Sequence, residues 1–499
     1  MIKRQLRTII IFAAVFVLCV VAYFAVVKPL IASLAKPDNV PELLEGEVLG
    51  TNNRILMMEH IEKADIQSIE IHNEFGTYTM FRGGDEEFHI KDHEDAPYSL
   101  EALSSMVVCA GYTLSMDRVG IDLTDEEMHA YGLGPNDNFA WYTITKRDGT
   151  AHTVHIGDLI PTGGGYYAAY EGRNAVYVLD TTLKATLLSD MTAIIMPILS
   201  YPIATNTYFM VDDFYLYRDG DVVVWIDFLT GEEMNDAAAM GSYVMKYPAD
   251  YTPNTTNYDT ILQKLSNFYG TACVELGKKG EPIAPDHLRD AYGIDLDAPA
   301  YGLLYTNKGV DSAVYFSKPD DKGVMYAYSQ LFNLVATVNY ADVAFLDWDL
   351  IKFVDRPVFY KNINDIAQIS IEGKDVSESF TLEGEKETIK ITPKSTGKPF
   401  SIDDVQNFRQ FYKTLLSINM EDYTEQSDVS RLECMMTLTV VTDAGEVTVY
   451  KFYPYSTRRC FYTVNGTGLF YTLNDQVQKA LNDTVRAVKG EPIDAEGKY

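Results

Sequence analysis

Charge is absent from the beginning of this chain. No charged residue lies between Thr8 and Val27, and Ile9 to Val27 is an unbroken run of nineteen apolar residues. That is close to the ~20 residues a helix needs to cross a bilayer, whereas the apolar region of a secretory signal peptide usually runs only ~7–15. An uncleaved anchor through residues 8–27 is therefore expected, with cleavage near Ile31–Ala35 ("IASLA") as the competing reading. The segment "FVLC" ending at Cys19 lacks the small residues that precede a lipid-modified cysteine. Lys3, Arg4 and Arg7 flank the run on its N-terminal side, which predicts a cytoplasmic N-terminus and an extracytoplasmic remainder after about Ala35.

Basic residues are scarce beyond that point. Residues 1–36 hold five Lys and Arg and no acidic residue, leaving 36 basic against 71 acidic residues in the remainder, a net of −35. Such a surface repels nucleic acid and anionic headgroups, so no nucleic-acid partner is expected. Cysteine is nearly missing as well: of five, only Cys109, Cys273, Cys434 and Cys460 lie outside the apolar run. Their spacing matches no zinc motif, and four in so long a chain make no disulfide scaffold. Free thiols are the default, and a Cys434–Cys460 bridge within one sheet is the alternative.

Catalytic signatures are lacking too. There is no Gly-x-Ser-x-Gly elbow and no His-Glu-x-x-His helix. "TGGGYY" (Thr162 to Tyr167) lacks the Gly-Lys-Ser/Thr and helix of a phosphate loop, and reads as a hairpin. Acidic clusters such as "VDD" (Val211 to Asp213) and "DLDAP" (Asp295 to Pro299) lack the central Gly and terminal Glu of an EF-hand, which leaves only weak surface calcium binding open. The densest set of metal-ligand types is "HIKDHED", with His89, Asp92 and His93 as candidates; a solvated loop before a helix start is the competing reading. His152 and His155, three apart on a strand, point to opposite faces. No cofactor is expected.

What the chain does contain is repetition. "DIQSIEI" (Asp65 to Ile71) returns as "DIAQISI" (Asp365 to Ile371), each opening a period-two strand pattern. "PYSLEALSSMVVCAGYTLSM" (Pro97 to Met116) aligns without a gap to "PFSIDDVQNFRQFYKTLLSI" (Pro399 to Ile418), an offset of 302. In the second copy Ile402, Val405, Phe408, Phe411, Tyr412 and Leu415 recur at helical spacing, behind Ser99 and Ser401 as N-caps. The opposite helix faces differ, with Ser104, Ser105 and Gly111 in one copy and Gln406, Asn407, Arg409, Gln410 and Lys413 in the other. Hairpins with turns at Asp148-Gly149 and Ala444-Gly445 follow, then strand pairs turning at Gly172 and Gly466. A more divergent unit between them is marked by "AYGIDLDAP" (Ala291 to Pro299), an echo of "AYGLGPND" (Ala130 to Asp137).

These patterns predict an α+β class: an N-terminal transmembrane helix, then three tandem units, each an antiparallel sheet with a packed helix. The expected boundaries are 1–36 for the cytoplasmic tip and anchor, 37–64 for a linker, and 65–200, 205–355 and 363–490 for the repeats. "YGLGPND", the hairpin after it, "IGD" (Ile156 to Asp158), "GYY" and "VYVL" (Val176 to Leu179) resemble the domain of unknown function 4340 family, most clearly over residues 66–190. The resemblance implies a bacterial membrane-anchored protein found beside gliding-motility-type ABC transporter components, and it brings no site residues. The function expected is a non-catalytic extracytoplasmic binding or assembly subunit contacting a transporter permease or another envelope protein, with its small ligand unidentified. The alternative is an envelope hydrolase acting on cell-wall polymer or glycan through surface carboxylates. The 35 tyrosines read chiefly as sheet residues with hydroxyls in water, and otherwise as a binding face.

Overall fold

The computed structural model describes residues 23–28, 42–112, 117–200, 211–230, 243–307, 309–384, 388–424 and 428–497. A short ribbon, β1 (Val48–Leu49) with β2 (Ile55–Leu56), precedes three eight-stranded sheets. The first sheet comprises β3 (Ile66–Asn73), β4 (Gly76–Arg82), β5 (Phe88–Ile90), β6 (Asp117–Ile121), β7 (Ala140–Lys146), β8 (Ala151–Leu159), β9 (Gly165–Tyr170) and β10 (Ala175–Asp180). The second comprises β11 (Asp213–Arg218), β12 (Asp221–Phe228), β13 (Tyr243–Tyr247), β14 (Ala272–Leu276), β15 (Tyr301–Asn307), β16 (Val310–Phe316), β17 (Val324–Ser329) and β18 (Leu334–Asn339). The third comprises β19 (Ile366–Gly373), β20 (Val376–Glu383), β21 (Lys390–Pro393), β22 (Asp422–Tyr423), β23 (Met436–Thr442), β24 (Val447–Pro454), β25 (Arg459–Val464) and β26 (Phe470–Leu473).

Each sheet is antiparallel and repeats one spatial order: third, second, first, fifth, sixth, seventh, eighth and fourth strand of its unit. The copies agree in detail. Against the neighbouring strand, β3 shifts register between Ile66 and Ser68, and β19 shifts between Ile366 and Gln368. The first strand is central and buries one face, with Ile66, Ile69 and Ile71 matched by Ile366, Ile369 and Ile371. A helix crosses between the third and fourth strands every time: α1 (Leu100–Gly111), α3 (Thr255–Leu265) and α5 (Ile402–Leu416). Between fourth and fifth strands come α2 (Asp125–His129) and α4 (Pro285–Tyr292), with no counterpart among the described residues of the third unit.

Local chemistry explains where the crossing helices start. The side chains of Ser99, Asn254 and Ser401 accept hydrogen bonds from the backbone N–H of Ala102, Asn257 and Asp404, and Ser401 forms a full capping box with Asp404. The buried stripe of α5 begins only at Phe408, so Ile402, expected on the apolar face, stands 83% exposed in the first turn. Gly111, expected on the open face of α1, is buried. A Cβ there would lie 2.3 Å from the carbonyl oxygen of Ile61, so only glycine permits that approach.

Two expectations are corrected. The described chain is mostly antiparallel sheet, with short helices laid across it, and the α+β class with a leading transmembrane helix does not describe it. The short outer strands, only two to five residues in β5, β6, β14, β21 and β22, carry little periodicity, yet they enlarge every sheet to eight. The apolar run of residues 8–27 lies outside the described residues except for Tyr23–Val27, a single π-helical turn. Among the described residues no helix is long and apolar enough to cross a membrane. Residues 42–58, expected to be a linker, are tied to the first sheet. The Glu47 carboxylate accepts from Tyr177 Oη at 2.6 Å and Arg118 Nη1 at 2.7 Å, and Arg173 donates to the carbonyls of Glu45 and Met57.

The chain divides into two compact units, residues 1–94 with 98–194, and 95–97 with 195–499. The second unit holds both the second and the third sheet. Within it the connection 353–361 is anchored on both sides. Phe353 O accepts from Asn254 N and Asp355 N donates to Thr252 O, while Val358 N donates to Ile418 O and Arg356 O accepts from Met420 N. Phe359, fully buried, wedges between Tyr412 of α5 and Tyr450 of β24, with ring centroids 5.6 and 5.9 Å away.

Candidate binding cleft between the second and third sheets

The anchored connection forms the base of a cleft of about 720 Å³. One wall comes from the end of β12 and from β13, through Asp227, Leu229, Val244 and Lys246, continued by Ala249 to Thr252. The other comes from β24 and β25, through Glu446, Thr448, Tyr450, Tyr462 and Val464. Asp355, Pro357, Val358, Tyr360 and Lys361 lie between them. The volume falls within the roughly 300–1,000 Å³ of small-molecule sites, and both walls belong to one compact unit.

Strand alternation sets the character of the β24 wall. Thr448 and Tyr450 are two residues apart on β24 and so share a face, and Glu446 lines the cleft from the turn just before the strand. Glu446 is exposed at the rim, whereas Thr448 and Tyr450 are only 8% and 6% exposed. Burial pushes the Tyr450 phenol up to about 12, with the Glu446 carboxylate adding to the shift. Tyr251 is also pushed up to about 12 by burial, and Tyr462, which bonds its hydroxyl, is raised further for the same reason. These phenols stay protonated at neutral pH and so keep their O–H donors. Across the base, Lys361 Nζ sits 3.4 Å from Glu446 Oε2. Four carboxylates, Asp227, Asp250, Asp355 and Glu446, therefore face two ammonium groups, Lys246 and Lys361.

The outer edge of β13 is closed. Met245 and Tyr251 exchange two backbone hydrogen bonds of 3.0 and 3.1 Å, so the loop after β13 folds back onto the strand's free side. A smaller depression of about 310 Å³ lies in the first unit, beside His72, Asn73, Gly132, Asp158 and Lys184.

The residues singled out by sequence lie elsewhere. His89, on β5, places Nε2 3.0 Å from Asp85 Oδ2 and Nδ1 3.3 Å from Glu94 O. Asp92 occupies a left-handed turn position (φ +68°), and His93 is buried with its carbonyl accepting from the Tyr98 hydroxyl. Among the described residues no group of three or more His, Cys, Asp and Glu could hold a metal ion, so His89, Asp92 and His93 are not assembled as a ligand set. His152 bonds the Tyr170 hydroxyl at 2.9 Å while His155 stacks on Phe139. In "DLDAP", Asp295 spends a carboxylate oxygen on the N–H groups of Asp297 and Ala298. Cys109, Cys273, Cys434 and Cys460 are free thiols, and burial pushes the Cys460 thiol up to about 12.

Several tyrosines depart from the expected sheet-surface role: Tyr142, Tyr177, Tyr328 and Tyr462 are almost wholly buried. None of the cleft residues was marked by sequence. The usable signal was the alternation of Thr448, Tyr450 and Phe452 after a turn, which specifies a face but not what that face meets. Compared with protein-family models, with curated proteins and with solved structures, the chain matches none.

Proposed function

We propose that this chain is a non-catalytic, extracytoplasmic binding or assembly protein, held at a membrane by residues 8–27 and working beside the permease of an envelope ABC transporter, with the cleft as its recognition site. The observation that supports this most is the cleft itself: its walls come from two duplicated sheets joined by a connection with backbone bonds to both sides, which keeps the site pre-formed and lowers the ordering cost of binding. The transporter association and the extracytoplasmic placement come from the sequence, through the family resemblance and the basic flank of the apolar run.

The test is photo-crosslinking in intact cells, with the crosslinker at Lys246 or Asn465 on the cleft and, as a control, at Lys146 in the first sheet. A transporter component captured from the cleft positions only is the expected result. Capture from Lys146 alone would remove the cleft from the proposal, and absence of any transporter component from all three positions would remove the partner. Protease added to spheroplasts should degrade the bulk of the chain; full protection would overturn the extracytoplasmic placement.

A further inference from the structure

We infer that the cleft takes an uncharged, polyhydroxyl ligand, a short saccharide segment, with the Thr448 and Tyr450 hydroxyls as its hydrogen-bonding groups; this rests on the cleft being the recognition site. Both residues line the cleft while more than nine-tenths buried, and neither hydroxyl bonds another described residue. Neither oxygen belongs to the fully enclosed, unpartnered set, so each retains access to the cleft. Each can donate and accept at once, which is also the hydrogen-bonding character of a sugar hydroxyl.

Three further features narrow the class. Val244, Val358, Met420 and Val464 supply apolar surface beside the part-exposed rings of Tyr251 and Tyr360, matching a ligand with both C–H and O–H faces. The excess of carboxylates over ammonium groups, on a chain of net charge −30, opposes phosphates, nucleotides and acidic polymers. An extended peptide added as a strand needs a free backbone edge, and the bonds between Met245 and Tyr251 occupy that of β13. What remains on offer is a row of side-chain hydroxyls along β24.

The test uses the full chain in detergent with four probes in calorimetric titrations: a β-linked N-acetylhexosamine trimer, an α-linked hexose trimer, a lysine-rich octapeptide and inorganic phosphate. Saccharide binding is expected from at least one trimer, weakened about tenfold by Tyr450→Phe and about tenfold by Thr448→Val, since each change deletes one hydrogen bond and little volume. Unchanged melting temperatures of both variants confirm that folding is intact. Binding by neither trimer, or equal binding by wild type and both variants, would overturn the inference, as would variant-sensitive binding of the peptide or phosphate instead. Capture of a transporter component from Lys246 or Asn465 without any saccharide binding would overturn the ligand class and leave the proposed function standing; failure of both would overturn both.

Discussion

Glu47 shows how much a single side chain can decide where composition alone is silent. In the sequence it is one acid of 71 in a segment that reads as a linker, yet its side chain is fully buried against Arg118, Tyr177 and the Leu44 N–H. Burial by itself pushes its carboxyl up, but the hydrogen bonds from Tyr177, Leu44 and Arg118 together outweigh this and hold it below the ordinary value of 4.5. A depressed folded value means that Glu47 stabilises the fold fully above pH 4.5, and that this contribution is lost as pH falls through the folded value. Protease cleavage within residues 42–58 should therefore be slow and pH-independent above pH 5 and accelerate as the pH falls below 4.5, through the lowered folded value; a rate that stays unchanged until the whole chain unfolds in acid would exclude the tie through Glu47. Glu47→Gln leaves Arg118 without its counter-charge and should cost about 3 kcal/mol in chemical denaturation, with the same segment cut faster at neutral pH. Gly111→Ala, by contrast, should cost about 1–3 kcal/mol through the clash with Ile61 O, which a helix-propensity argument would read with the opposite sign.

At the scale of elements, legibility followed local signals. Ser99 and Ser401 were readable as caps because capping is a short-range hydrogen bond, and the central strands because burial of one face imposes period two. The closing strands were not, since β22 has two residues and its pairing with β26 is decided by the rest of the sheet. The strand-and-turn alignment of Gly165–Leu187 with Arg459–Leu481 also hides a divergence. Thr181–Ala185 is a 3₁₀ turn, whereas Asn474–Lys489 forms α6, a sixteen-residue helix closed by Gly490 at φ +68°. The threonine-rich stretch resists helix formation, while Gln, Lys and Ala favour it. α6 lies against α5, and Asp483, fully buried, accepts from Thr414 Oγ1 at 2.8 Å and Lys479 Nζ at 3.1 Å. Asn407, expected on an open face, is instead engaged at both ends, donating to Glu491 O and accepting from Ile493 N. Leu481→Ala should cost about 2–4 kcal/mol by opening a cavity beneath α6, and Asp483→Ala about 3 kcal/mol by removing the buried carboxylate to which Thr414 and Lys479 donate. Denaturation of the double variant would then show how far the two losses share one packing unit, and losses below about 0.5 kcal/mol in both would mean α6 is a dispensable appendage.

For the whole molecule, threefold repetition of a topology does not mean three independent folding units. Sequence similarity reports that strand order and core positions were duplicated, but the coupling of neighbouring copies depends on the short connections between them, where no repeat pattern applies. Residues 353–361 make the point: the connection carries backbone bonds to the copies on either side and seats Phe359 in the third, and the second and third sheets form one compact unit and the first sheet another. Calorimetry should accordingly resolve two transitions, with enthalpies in a ratio of about 1.6 if they scale with the residues in each unit. Phe359→Ala removes the wedge between Tyr412 and Tyr450 and should destabilise the larger transition by about 3–5 kcal/mol, leaving the smaller one in place. If the larger transition in that variant also splits in two, the connection is what makes the two sheets unfold together. Three transitions in the unaltered chain would refute the coupling, and with it the pre-formed cleft whose walls depend on it.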